Sequence, residues 1–172
     1  MSTATTRKIA FVTGASRGIG KQTAIALAGK GFDVVITART MKEGEEHERG
    51  AFQSDTSAVS GSLNSTATAI EALGQQALAI RLDLLDPSSI ERAVEQTLQQ
   101  WGPIDVLVNN GVYQGPGTMS SVLELSPQMM QKIYQANLLS PLLLVQKILP
   151  SMLARGSGCI VNMAVSYTHL TL

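Results

Sequence analysis

The sequence predicts an α/β fold in which about five parallel strands form a doubly wound sheet. Apolar runs alternate along the chain with longer helical patterns, and none of these runs alternates cleanly between apolar and polar residues, as expected for strands covered on both faces. Right-handed crossovers then place a ligand outside the carboxyl ends of the strands. The strands are predicted within Ile9–Val12, Val34–Thr37, Ala77–Leu82, Ile104–Val108 and Cys159–Met163.

A glycine-rich turn after the first strand reads TGASRGIG and opens an alanine-rich helical pattern. Gly14 permits a sharp reversal, Gly18 lets a pyrophosphate approach the main chain, and Gly20 lets the helix lie close to the strand. The positive end of that helix would face the phosphate charge. Such a turn is weak evidence alone and gains weight from the strand pattern around it. The candidate cofactor contacts in this turn are Gly14, Ser16, Arg17, Gly18, Ile19 and Gly20.

Helix boundaries are marked by residues that start or stop helices. Gly31 closes the first helix, and Asp86-Pro87 opens a helix that runs to about Gln100. Ser126-Pro127 opens a long helix that ends near Ala154. These helices are the predicted crossovers between the parallel strands.

Residues 41–65 lack apolar periodicity until a helical stripe resumes at Leu63. We interpret this segment as a surface excursion before the second helix. His47 lies there among glutamates, which raises the alternative of a metal site. A solvated charge cluster is the favoured interpretation, because a single histidine makes a poor transition-metal site. No metal is therefore predicted.

Composition favours a cytoplasmic protein that binds a small molecule. The 172 residues suit one domain, and 13 basic and 13 acidic side chains cancel, so net charge favours neither nucleic acid nor an anionic membrane. The N-terminus lacks the apolar segment of a signal peptide, and the longest aliphatic run, Leu142 to Val145, is too short to span a bilayer. The single cysteine, Cys159, is predicted to be a buried, inert thiol.

Four motifs in order resemble the classical short-chain dehydrogenase/reductase family: TGASRGIG, Asp83 after the third strand, VNNG at Val108–Gly111, and Asn137 in the long helix. The resemblance runs from about Lys8 to Met163. It implies an incomplete Rossmann-type NAD(P)-binding domain over residues 1–164. It also implies hydride transfer between nicotinamide and a small carbonyl or alcohol substrate, in a parent protein whose subunits could form a homo-oligomer.

The resemblance also implies roles for residues outside the glycine turn. Asp83, with Leu84 beside it, would accept from the adenine amino group, although a turn cap is the alternative for this carboxylate. Asn110 would bridge the central strand ends against the cofactor. Asn137 would help to hold a water in a proton relay, since Pro141 has no N–H for its carbonyl and the helix should kink there. Alternatively, Pro141 only bends a core-packing helix whose apolar residues are Ile133, Leu138, Leu142, Val145 and Ile148.

The residues after the second strand bear on the choice of cofactor. A carboxylate there would bind a ribose hydroxyl and repel a 2′-phosphate, but this chain reads Thr37, Ala38, Arg39. Arg39 and Arg17 could form a guanidinium fork around a phosphate, so NADP(H) is favoured over NAD(H). Two solvated arginines are the alternative.

The chain departs from the family at the fourth strand, where it reads NNGV instead of NNAG. Gly111 in place of alanine is a small change. Val112 in place of glycine puts a β-branched residue where an unusual backbone conformation could be required. The departure affects the expected contacts more than the fold.

The family's catalytic tyrosine and the lysine four residues after it are not found in this sequence. Tyr113, Tyr134 and Tyr167 are followed at that spacing by Gly117, Leu138 and Thr171. The family's serine would fall at Val165, the first residue of VSYTHLTL, which matches a translated transposase sequencing adapter. We therefore expect residues 165–172 to be non-native and the natural gene to continue past Ala164, with a divergent natural tail as the alternative.

Three functions are compatible with these observations. The first is the cofactor-binding part of an NADP(H)-dependent oxidoreductase whose parent is active, and the second is a non-catalytic dinucleotide-binding module. Genomic sequence beyond Ala164 would separate them. An extended-type sugar-nucleotide epimerase is disfavoured, because its first two glycines are separated by two residues, whereas three separate Gly14 from Gly18.

We predict that this 172-residue chain has no measurable reductase activity with any carbonyl, even where it binds NADP(H). General acid–base help contributes about 10²–10⁴-fold, and a positioned hydride donor does not replace a missing proton donor. The check is NADPH oxidation in the presence of a panel of aldehydes and ketones. Turnover that survives replacement of Tyr113, Tyr134 and Tyr167 would contradict the prediction.

Overall fold

The computed structural model describes residues 7–47, 55, 57–119 and 121–164, so the predicted non-native tail at 165–172 lies outside the described residues. Within these ranges the chain forms a parallel sheet of five strands in the order β3-β2-β1-β4-β5. The predicted doubly wound α/β fold is confirmed, and the strand order reverses between β1 and β4. The strands are β1 Lys8–Thr13, β2 Phe32–Ala38, β3 Ala77–Arg81, β4 Val106–Asn109 and β5 Cys159–Asn162.

The helices begin where the sequence predicts them. Asp86 and Ser126 each accept a backbone N–H from the first turn of the helix that follows, and a proline stands at the start of each helix. The helices are α1 Gly18–Ala28, α2 Leu63–Glu71, α3 Pro87–Gln100, α4 Pro127–Tyr134 and α5 Ser140–Arg155, with a π-helical turn at Gln135–Leu139 between the last two.

The two faces of the sheet carry separate apolar clusters. Ile9 and Phe11 of β1 pack into the cluster shared with α3 and α5, whereas Ala10 and Val12 pack into the cluster shared with α1 and α2. All four side chains are almost fully buried. Because both faces are covered, the run Ile9–Val12 of β1 is apolar throughout and shows no alternation.

The long helix buries only part of its apolar surface. Ile148 is buried as expected, but Leu138 and Leu142 are 54% and 49% exposed, so the expectation that they pack in the core is wrong. They lie on the side of the helix away from the sheet. By length and composition alone, Pro127–Arg155 could also cross a membrane, yet 28% of its most apolar window is buried inside the fold.

Cys159 corrects another expectation, because its thiol is free and exposed rather than buried. It lies at the start of β5, which pairs with β4 and forms one edge of the described sheet. An apolar run at a sheet edge is covered less completely than the same run in a central strand. The local sequence carries no sign of this difference.

A polar bridge joins β1 and β4 at their carboxyl ends. Thr13 ends β1 and is 2% exposed. Its Oγ1 accepts N–H bonds from Asn110 at 3.0 Å and Gly111 at 2.9 Å, and it lies 3.3 Å from the carbonyl oxygen of Val108, to which it donates. One hydroxyl thus satisfies two backbone N–H groups that follow β4.

We predict that Thr13→Val destabilises the fold, because valine keeps the shape of threonine but leaves the N–H groups of Asn110 and Gly111 without their acceptor. The expected loss in the free energy of unfolding is about 1–3 kcal/mol. Thr13→Ser keeps the hydroxyl and is the matched control. Urea denaturation followed by circular dichroism measures both variants, and equal midpoints for valine and serine would contradict the role of the bridge.

Candidate functional site

A cleft of about 440 Å³ opens at the carboxyl ends of β1, β2 and β4, where the strand order reverses. It continues into a second space of about 150 Å³ over the end of β3. We call the two together the strand-end cleft. Of the predicted site residues, those that line it are Gly14, Ser16, Arg17, Arg39, Asp83, Leu84 and Asn110.

The three glycines of the turn differ in the space around them. Gly14 has φ +68°, and a Cβ there would lie 2.7 Å from the Cα of Gly111, so only glycine fits the reversal. A Cβ on Gly20 would collide with the carbonyl of Gly14 and the side-chain amide of Asn110. Gly18 differs, since it has φ +56° and open space where its Cβ would be.

Helix α1 begins in this turn. Arg17 holds the N-cap position, and its side chain can only donate hydrogen bonds, so it cannot accept from the N–H groups of the first helical turn. Ile19 follows in that turn and is 63% exposed. The N-terminus of α1 is therefore a positive helix end without a side-chain cap, and its N-cap residue Arg17 lines the cleft. Gly18, Ile19 and Gly20 are not among the residues that line the two spaces of the cleft.

The segment after β4 closes the opposite wall of the strand-end cleft. The Asn110 side-chain amide donates to the carbonyl oxygens of Thr13 at 2.9 Å and Gly14 at 3.3 Å, which is the predicted bridge between strand ends. All positive-φ residues in the described ranges are glycines, so Val112 adopts an ordinary backbone conformation. The NNGV departure therefore introduces no backbone strain at Val112.

Arg17 and Arg39 both line the cleft, as the predicted guanidinium fork requires. The Nη2 of Arg17 donates to the carbonyl of Gly61 at 2.9 Å and to Oγ1 of Thr40 at 3.2 Å. Arg39 follows β2, and its carbonyl accepts a hydrogen bond from the guanidinium of Arg81. Two positive side chains from different elements thus share one side of the cleft.

Asp83 forms the turn cap that the sequence leaves open as an alternative, and its role toward an adenine stays a prediction. One carboxylate oxygen accepts the N–H of Leu85 at 2.9 Å, which makes a local turn cap, and the residue also lines the strand-end cleft. The carbonyl of Leu84 accepts from the hydroxyl of Ser140 at 2.6 Å. This bond ties the cleft wall to the start of α5.

Asn137 lies in the π-helical turn, and its side chain holds the backbone after β4. Its Oδ1 accepts the N–H of Tyr113 at 2.8 Å, and its Nδ2 lies 3.3 Å from the carbonyl oxygen of the same residue. The predicted break at Pro141 appears as this π turn, in which the N–H of Ser140 reaches back to the carbonyl of Gln135. Tyr113 itself is 8% exposed and lines the cleft.

The 41–65 excursion contributes residues that sequence reasoning does not assign to the site. Glu45, His47, Ser57 and Val59 line the strand-end cleft together with the predicted arginines. The loops that follow the carboxyl ends of parallel strands lie at the same edge of the sheet. This general rule is the signal in the sequence that could have placed the excursion at the cleft. Within the described ranges no group of three or more His, Cys, Asp or Glu side chains could hold a metal ion.

The carboxylate of Glu45 is held by backbone groups of the excursion and by Arg81 of β3. It accepts the N–H groups of Met41 and Lys42 at 3.3 and 3.1 Å and pairs with Arg81 at 3.0 Å, and its Oε2 lies 3.5 Å from Nε2 of His47. Partial burial acts to raise the pKa of Glu45, but the two N–H bonds and Arg81 outweigh it and hold this pKa below its ordinary value.

The chain is similar to known proteins in both sequence and structure. A family model described as short chain dehydrogenase matches residues 8–59 and 53–171, and its two parts meet inside the 41–65 excursion. The ketoacyl reductase HetN of Nostoc sp. is 36% identical over 162 residues, which are 94% of this chain and 49% of that protein. Dehydrogenase/reductase SDR family member 7 of Mus musculus is 34% identical over 157 residues, 91% of this chain and 41% of that protein.

Solved structures give the same result. A metagenomic short-chain oxidoreductase in complex with NADP superposes with a TM-score of 0.75 and 28% identity, over 96% of this chain and 65% of that one. An actinorhodin polyketide ketoreductase variant with NADPH superposes with a TM-score of 0.72 and 29% identity, over 92% of this chain and 53% of that one. The chain spans about half the length of the curated relatives it matches. It belongs to the short-chain dehydrogenase family of oxidoreductases.

Proposed function

We propose that this chain is the cofactor-binding part of an NADP(H)-dependent oxidoreductase that acts on a small carbonyl or alcohol. One observation carries the proposal: a glycine turn, a helix N-terminus and two arginines converge on a single cleft at the point where the strand order reverses. In open α/β sheets this point is where dinucleotides bind. Relatives named ketoacyl reductase and polyketide ketoreductase support a carbonyl substrate.

The residues of the strand-end cleft fit a dinucleotide. The open space at Gly18 and the positive end of α1 suit the pyrophosphate, because backbone N–H groups can meet it without an intervening side chain. Asp83 would accept from the adenine with the carboxylate oxygen that is not bonded to Leu85. Asn110 would keep the wall after β4 in contact with the turn.

The preference for NADP(H) follows from charge. Arg17 and Arg39 supply two guanidinium groups, which bind phosphate oxygens in planar, charge-assisted geometry. Glu45 lines the same cleft, but its oxygens already accept from two backbone N–H groups and Arg81. It therefore does not act as the ribose-binding carboxylate that would favour NAD(H). Complexes of related proteins with NADP and NADPH agree with this choice.

When bound, the nicotinamide donates or accepts the hydride of the reaction. Asn137 would hold a water through its main-chain carbonyl, since Pro141 has no N–H to offer it. Its side chain meanwhile fixes the backbone at Tyr113. No tyrosine in this sequence is followed four residues later by lysine, so the family's pair of proton-transfer residues is not found among residues 1–172. We also propose that the protein acts in the cytoplasm.

We predict that Arg39→Ala weakens binding of NADPH much more than binding of NADH, because only NADPH carries the 2′-phosphate. A charged hydrogen-bonding partner contributes about 1.5–3 kcal/mol, which corresponds to about a tenfold to hundredfold loss. Titration calorimetry with both cofactors measures the difference. Lys30→Ala, beyond the far end of α1, removes the same charge away from the cleft and serves as the control.

An equal loss of affinity for the two cofactors in Arg39→Ala would contradict the assignment of the 2′-phosphate to this side of the cleft. A selective loss that also appears in Lys30→Ala would show that only the overall charge of the protein matters.

We predict that Gly18→Val abolishes binding of either cofactor, because a branched side chain would occupy the space that the pyrophosphate needs. Gly74→Val is the matched control, since Gly74 also has positive φ and open space around its Cβ but lies after α2, away from the cleft. Both variants carry a similar backbone strain of about 1–2 kcal/mol. Unchanged cofactor affinity in a folded Gly18→Val protein would refute the glycine-turn assignment.

A further inference from the structure

The 41–65 excursion returns to the glycine turn at Gly61. This residue has φ +106°, and a Cβ there would lie 2.7 Å from the carbonyl oxygen of Ser16 and 2.8 Å from the Cβ of Arg17. Two backbone segments therefore meet at a distance that only glycine allows. The excursion is packed directly on the candidate phosphate-binding turn.

This contact holds the guanidinium of Arg17. Its Nη2 donates to the carbonyl of Gly61 at 2.9 Å and to Oγ1 of Thr40 at 3.2 Å. Thr40 precedes the excursion and Gly61 lies near its end. Residues at the two ends of one loop thus accept hydrogen bonds from a single arginine side chain, which lines the strand-end cleft.

Glu43 in turn holds the peptide of Gly61. Its Oε2 accepts the N–H of Gly61 at 2.9 Å, so the glycine is bonded at its N–H by Glu43 and at its carbonyl by Arg17. The Gly61 N–H is the main reason that the pKa of Glu43 lies below its ordinary value; Ser62, Ser65 and Lys21 add to the effect and partial burial opposes it. The acceptor is ionised at neutral pH.

We propose that Glu43 and Gly61 are positioning residues that hold Arg17 ready for the 2′-phosphate and thereby increase the preference for NADP(H). The inference rests on the proposed function, in which Arg17 meets that phosphate. A long, flexible arginine loses side-chain entropy when a ligand immobilises it, and an arginine already held by Gly61 and Thr40 loses less.

A purely electrostatic effect of Glu43 would have the opposite sign. A carboxylate near the cleft repels a phosphate, so removing its charge should strengthen NADPH binding at any distance within the Debye length. Glu43→Gln removes the charge but keeps an oxygen that can accept the Gly61 N–H, whereas Glu43→Ala removes both. The two variants therefore separate the hydrogen bond from the charge.

The experiment measures binding of 2′,5′-ADP and 5′-ADP to the 172-residue chain by titration calorimetry. We expect Glu43→Ala to weaken 2′,5′-ADP about fivefold to tenfold with little change for 5′-ADP, because the extra phosphate alone needs a positioned Arg17. Glu43→Gln is expected to bind 2′,5′-ADP as well as the parent chain or better. Glu46→Ala, at an exposed neighbouring glutamate, controls for loss of one negative charge in the excursion.

The remaining outcomes decide against the inference. Equal behaviour of Glu43→Ala and Glu43→Gln, or tighter 2′,5′-ADP binding in both, would leave only the charge effect and overturn it. Arg17→Ala is measured alongside: a selective loss for 2′,5′-ADP there, with none in Glu43→Ala, would overturn the inference and leave the proposed function intact. Without a selective loss in Arg17→Ala the inference would be wrong, and the NADP(H) assignment would then depend on Arg39; no selective loss in Arg39→Ala either would overturn the proposed function too. Gly61→Ala is expected to behave like Glu43→Ala. If Gly61→Ala does not fold, the comparison of Glu43→Ala with Glu43→Gln still tests the inference.

Discussion

The close approach of β1 and β4 at their carboxyl ends is the constraint on which the candidate site depends. The Thr13 hydroxyl fixes it by accepting two N–H groups from the segment after β4, inside a structure that leaves this residue 2% exposed. A Cβ on Gly14 would lie 2.7 Å from Gly111, so the two backbones are as near as side chains permit. The cleft opens directly above this contact, because the strand order reverses there and no further strand covers the gap in the described sheet.

The strand-end cleft combines two parts of different origin. The glycine turn, the N-terminus of α1 and the wall after β4 form the part that suits a pyrophosphate, and their contacts run between neighbouring strands. The excursion forms the other part and reaches the turn through Gly61 and Arg17. Under the proposed function, the first part would meet the portion common to both dinucleotides and the second part would meet the 2′-phosphate. The two parts are coupled, because Gly61 of the excursion packs on the carbonyl oxygen of Ser16 inside the turn.

The fold could be predicted from the sequence because its signals are local. Apolar runs, helix caps at Asp86 and Ser126, and the glycine turn each act within a few residues, and the structure confirms all of them. The predictions that were wrong concern the burial of single side chains. Cys159 lies at a sheet edge, and Leu142 is exposed although it belongs to an apolar helix. Neither property follows from the neighbouring residues. The hydrogen-bond partners of Arg17 could not be predicted either, because Gly61 is 44 positions away and lies in a segment without apolar periodicity.

Glu45 shows that the absence of an acid after β2 does not by itself determine the charge of the cleft. The sequence has Thr37, Ala38 and Arg39 where a ribose-binding acid would stand, and the expected preference for NADP(H) depends on that absence. The fold nevertheless returns a carboxylate to the same cleft from six residues beyond Arg39. What matters is how that carboxylate is bonded: two backbone N–H groups and Arg81 already use the lone pairs that a ribose hydroxyl would need. An acid near the cofactor favours NAD(H) only when its acceptors face the ligand, and those of Glu45 face its own loop and Arg81.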